Sequence, residues 1–103
     1  MRFLIIVSNR FPIPPERLPE LIEAFADWRE RYKSFSETFE FFAGGGGGFG
    51  IVNVPDEATL HQSMTEYPFA MFQDLDIRAI IDGDQALAMW KEQIKAMAAM
   101  LAG

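Results

Sequence analysis

Five consecutive glycines, Gly44 to Gly48, stand between two apolar runs in the stretch FFAGGGGGFGIV. Three structures suit such a run: an interdomain linker, a loop that cradles a phosphate, or a turn between strands. A linker would divide the 103-residue chain into halves too small to bury a good core. A phosphate loop opens a helix and keeps a Lys or a Ser/Thr at hand. Here Phe49-Gly50-Ile51-Val52 follows, a strand-forming run, with no Lys, Ser or Thr close behind. The glycines therefore read as a hairpin connection, supplying positive φ where antiparallel strands reverse. The run exceeds what a tight turn needs, so part of it is expected to form a bulge or a mobile tip.

The flanking periodicities supply the rest of the architecture. Residues 2–8, RFLIIVS, are branched and aromatic, as in a buried strand. Pro12, Pro14 and Pro15 break the chain, and a helix is expected from Glu16 to Lys33. Its stripe is Leu18, Leu21, Ile22, Phe25, Trp28 and Tyr32, at steps of three and four. Residues 36–43 read as a second strand, with Phe39 and Phe41 on one face and Glu40 and Phe42 on the other; residues 49–54 read as a third. Asp56 is a good N-cap for a helix reaching Tyr67, where Pro68 stops it. Asp74 to Ile81 alternates as a fourth strand. Gln85 to Leu101 forms a last helix with the stripe Leu87, Trp90, Ile94, Met97 and Leu101. The order β-α-β-β-α-β plus a helix predicts an α+β, ferredoxin-like antiparallel sheet. One domain is expected over 1–103, with residues 1–82 as its core and 83–103 as the C-terminal helix. Two helices on one face leave the other face bare, so the expected partner is the chain itself, as a homodimer or a higher homo-oligomer. The methionine-rich last helix either embraces that partner or folds back on its own subunit.

Charge and composition exclude several classes. A net charge of -6 disfavours nucleic acid, because Lys and Arg supply most of the affinity for phosphate backbones. There is no cysteine, hence no disulfide and no thiolate metal site. No window approaches the ~20 apolar residues that span a bilayer, and Phe3 to Val7 is too short for a signal peptide, so no membrane association and a cytoplasmic location are expected.

The ionisable inventory is sparse. His61 is the single histidine and has no HxH or HxxE spacing, so neither a metal nor a cofactor is expected. Asp27 and Tyr32 neighbour Phe25 and Trp28, where a pocket wall would shift their protonation. Arg10 and Arg78 are candidates to hold an anionic group. Glu23, Glu30 and Arg29 are explained by ordinary i,i+4 pairing on a helix surface, and Asp74 with Asp76 lacks a third metal ligand.

The residues Val54-Pro55, Leu60-His61, Pro68-Phe69, Phe72 and Asp74 resemble the muconolactone Δ-isomerase family without gaps, over about residues 51–77. The likeness implies a dimeric α+β barrel and a cofactor-free proton shift in a small unsaturated lactone, within aromatic catabolism. The region 36–50 departs from the family: it lacks the basic, tryptophan-containing strand expected there, and the polyglycine is foreign to it. In the reading that follows, Phe3, Ile5, Phe25, Trp28, Phe41 and Phe69 line a pocket. Asp27, Tyr32 or His61 moves a proton, and Arg10 or Arg78 holds an anionic group. The alternative is a non-catalytic oligomer that binds an apolar or anionic small molecule or assists a partner enzyme.

Overall fold

The computed structural model describes residues 1–103 as four strands and three α-helices. β1 is Arg2–Asn9, α1 Leu18–Tyr32, β2 Ser36–Phe41, β3 Gly47–Asn53, α2 Glu57–Thr65, β4 Gln73–Ile80 and α3 Gly83–Ala102. Single 3-10 turns, Pro15–Arg17 and Lys33–Phe35, flank α1, so its α-helical part is shorter than the expected Glu16 to Lys33 and coincides with the apolar stripe from Leu18 to Tyr32. Pro19 falls at its second position, where a missing N–H costs nothing. The sheet order is β2-β3-β1-β4 with every neighbour antiparallel, the ferredoxin-like topology.

The glycines join β2 to β3 as expected, but not all of them turn. Gly47 and Gly48 belong to β3, and the bulge lies in β2 between Ser36 and Thr38. Gly45 and Gly46 take φ of 83° and 85°, which only glycine adopts freely. The tip is tied down: the Asn9 N–H donates to the Gly46 carbonyl at 2.8 Å, and the Phe42 N–H donates to the Gly47 carbonyl at 2.9 Å.

Register sorts the side chains into two faces. Phe39 and Phe41 of β2 stand opposite Gly50 and Gly48 of β3, which stand opposite Ile5 and Val7 of β1. This face lies beneath α1 and α2, and Phe3, Ile5, Leu21, Val54 and Tyr67 form its buried core. α2 is capped by Asp56, whose carboxylate accepts from the Thr59 N–H at 2.8 Å and from the Thr59 hydroxyl at 2.7 Å. Those two bonds hold the Asp56 carboxyl below its ordinary range. α1 is locked to α2 where the Trp28 indole N–H donates to the Ser63 carbonyl at 2.8 Å. The opposite face carries Leu4, Ile6, Phe49, Ile51 and Ile80, and no helix covers it.

α3 is capped by Asp82, which accepts from the Gln85 N–H at 3.0 Å. It then projects from the body rather than folding back. The molecule is 69 Å long with a radius of gyration of 18.8 Å, against about 13 Å for a compact chain of this length. Trp90 is 62% exposed and Leu101 86%, and Leu87, Ile94 and Met97, the rest of the expected stripe, are exposed as well.

Candidate functional site

Between the sheet and α1 lies a cavity of about 470 Å³, within the range of small-molecule sites. Its origin is legible in β3. Gly48 and Gly50 put no side chain on the face where β2 raises Phe39 and Phe41 and β1 raises Ile5 and Val7, so a trough opens between two apolar walls. α1 roofs it with Ile22, Phe25, Trp28 and Tyr32 at helical spacing.

The walls are aromatic. Phe25 is the hub, with ring centroids 5.7 Å from Trp28 and from Phe69, 5.9 Å from Phe39 and 6.1 Å from Tyr67. Such tilted and edge-on pairs present ring faces and edges to whatever occupies the space.

One polar chain enters this apolar surround. The Tyr67 hydroxyl donates to Gln73 Oε1 at 2.5 Å, and Gln73 Nε2 donates to Asn9 Oδ1 at 2.8 Å. All three residues line the cavity. Burial pushes the Tyr67 phenol up to about 12, so at neutral pH it is a fixed O–H donor. That O–H, turned from Gln73 toward a ligand, would stabilise negative charge developing on a carbonyl oxygen.

The expected site residues divide between the cavity and the surface. Phe25, Trp28, Tyr32, Phe41, Phe69 and Ile5 line the cavity, and Phe3 is buried in the core beside it. Asp27 and His61 are exposed and outside it. Arg10 binds Asp74 at 3.5 Å at the sheet's end, and Arg78 binds Asp76 at 3.1 Å on the far face. Asp74 and Asp76 are thus engaged by arginines, and no group of three or more His, Asp or Glu side chains is placed to hold a metal ion. Three lining residues were given no role by the sequence. Asn9 and Gln73 meet across 64 positions through strand register, which no local pattern reports. Arg29 was assigned to surface pairing, yet it reaches the cavity wall, its guanidinium 4.3 Å from the centre of the Phe39 ring.

A family model described as "Domain of unknown function (DUF3303)" matches residues 1–94. The chain belongs to the DUF3303 family. No curated protein sequence matches this DUF3303 chain. Its fold is that of muconolactone isomerase, whose crystal structure superposes with a TM-score of 0.70 at 16% identity, over 80% of this chain and 90% of that one. A second similar structure is 5-chloro-2-hydroxyhydroquinone dehydrochlorinase from Burkholderia phenoliruptrix AC1100, in complex with 2,5-dihydroxybenzoquinone. Its TM-score is 0.60 at 21% identity, over 82% of this chain and 98% of that one. The ferredoxin-like α+β architecture expected from the resemblance is therefore the fold of this DUF3303 protein; at such identities the likeness extends to fold alone. No helix is long and apolar enough to cross a membrane.

Proposed function

We propose that the chain binds a small, flat, unsaturated and oxygenated ring compound in the aromatic cavity and moves a proton on it without a cofactor, as an isomerase-like enzyme. The observation that carries this reading is the Tyr67–Gln73–Asn9 chain at one end of a largely apolar, aromatic-walled cavity. Aromatic walls favour a planar ring, and the polar chain fixes the end that carries oxygen. A proton shift next to a carbonyl places negative charge on that oxygen, and a neutral tyrosine that turns its single O–H from Gln73 to the ligand is a suitable donor to it. Tyr32, the other phenol of the wall, is the candidate carrier of the proton; Asp27 and His61 take no part in this reading, being exposed outside the cavity. The two superposing structures support the choice of chemistry, since their names specify a lactone isomerase and an enzyme of a chlorinated hydroxyhydroquinone.

One observation favours a second reading, a binding or accessory module without turnover. No imidazole lines the cavity, and the one carboxylate residue that does, Glu40, alternates toward the opposite face of β2. Turnover of muconolactone followed by ultraviolet absorbance separates the two. Conversion that falls on replacing Tyr67 by Phe supports the enzyme; binding of the ring without conversion supports the module.

The partner in either reading is a second copy of this chain. Only seven of 103 residues are buried, which is a thin core for an isolated subunit. The apolar stripe of α3 and the uncovered face bearing Leu4, Ile6 and Ile51 are the surfaces that an oligomer would bury.

A further inference from the structure

Arg29 stands apart from the other arginines of the molecule. Of the six arginines, five have a carboxylate within 4.0 Å: Arg2 with Glu37, Arg10 with Asp74, Arg17 with Glu20, Arg31 with Glu66 and Arg78 with Asp76. Arg29 has none. It is half-buried, lines the cavity, and lies over the face of Phe39, itself 5.9 Å from Phe25 and 5.4 Å from Phe41. In a chain with a net charge of -6 an arginine readily finds a carboxylate, so one stacked on an aromatic wall instead keeps its donor edge free for something else. Stacking restrains the guanidinium plane while leaving the in-plane N–H groups available, the arrangement that receives a carboxylate through two parallel hydrogen bonds.

The position within the cavity matters as much as the charge. Phe39 sits in the register row Phe39–Gly50–Ile5, whereas Asn9 and Gln73 form a row four residues further along β1. At about 3.3 Å per residue the rows are about 13 Å apart. The cation and the neutral polar chain therefore mark different ends of one aromatic trough.

We propose that Arg29 is the carboxylate anchor of the cavity, and that its ligands are ring compounds bearing a carboxylate at one end and a carbonyl or hydroxyl at the other. This rests on the small-molecule reading of the cavity and adds the ligand's charge and orientation. The β3 glycines give the flat ring its room, Arg29 draws the anionic end to the Phe39 row, and the far oxygen meets Tyr67, Gln73 and Asn9.

The test uses two neutral-pH probes of one shape, 4-hydroxybenzoate and 4-hydroxybenzamide, titrated against the full chain while the Trp28 indole N–H is followed by NMR. The wild type is expected to prefer the carboxylate by about tenfold or more, the scale of a charge-assisted hydrogen bond. Arg29→Gln should erase the preference to within about twofold while binding the amide as before, and Arg29→Lys should keep part of it, as a point charge without the fork does. Arg31→Gln, on the same helix and paired with Glu66, should retain the full preference. An undiminished preference in Arg29→Gln, or equal binding of both probes by the wild type, overturns the anchor and leaves the cavity standing. If neither probe moves Trp28 in the wild type, the small-molecule reading falls and the anchor with it.

Discussion

Replacing Gly48 by Ala tests whether the polyglycine serves the pairing of β2 with β3 rather than merely the turn. A Cβ built at Gly48 lies 2.3 Å from the Glu40 carbonyl oxygen, 3.0 Å from Phe41 Cα and 3.2 Å from the Glu40 carbonyl carbon, where ordinary contact begins at 3.4 Å. All three atoms are backbone, so no side chain can swing away. β2 must retreat by 3.4 minus 2.3, about 1 Å, against its pairing with β3. Overpacking of this kind costs ~1–3 kcal/mol, and the entropy gained on replacing Gly by Ala offsets ~0.4–1 kcal/mol. With backbone on every side the net loss should be about 2 kcal/mol, or roughly 8–16 °C in Tm for a domain of this size. Gly44 is the internal control. A Cβ there meets nothing within 4 Å and its φ is not positive, so Gly44→Ala should raise Tm by a few degrees. Thermal unfolding by circular dichroism reads both variants. Equal shifts, or a Gly48→Ala variant as stable as the wild type, would refute the close approach of β2 and β3 as the reason for glycine at this position.

The remaining predictions concern the polar chain, the α2 cap and α3. Spectrophotometric titration should show one tyrosine ionising near 12, and Tyr67→Phe should delete that phase and cost about 1 kcal/mol in urea unfolding, because Gln73 loses its donor; an unchanged titration would contradict it. Because the Asp56 carboxyl is held below its ordinary value near 3.8, its contribution is present above that value and lost as pH falls through the lowered one. The stability difference between wild type and Asp56→Ala should accordingly vanish under acid, and a difference independent of pH would show that the carboxylate charge is not what caps α2. Light scattering after size exclusion should give a multiple of 11.7 kDa that falls toward one subunit in Ile94→Glu; a wild-type monomer would reject the oligomer.

How much of this was legible in the sequence follows from the range of each signal. The order of elements was readable because helical and alternating periodicities are local, and the roof of the cavity came with them, since Phe25, Trp28 and Tyr32 recur on one face of α1. The same geometry places Asp27 about 200° around the helix from Phe25, so its exposure was implicit in the spacing. Tyr67 was visible only as the apolar end of the expected second helix, which stops short of it at Thr65; its role depends on Gln73, six residues on, and on Asn9 from another strand. Arg29 was hidden for a different reason. Its neighbours along α1 suggest a solvated pair, and only the edge strand β2, folded against that helix, shows that the surface it meets is a phenylalanine ring. α3 kept its stripe but found no partner within the subunit, a fact about tertiary placement that periodicity does not carry.

The central claim, a ring-binding cavity read at one end by Tyr67, Gln73 and Asn9, is tested most directly by nitrogen-resolved NMR titration with 2,5-dihydroxybenzoquinone. The Trp28 indole and the side-chain amides of Asn9 and Gln73 should move together and saturate with one dissociation constant. A titration in which those three signals stay fixed would contradict the account.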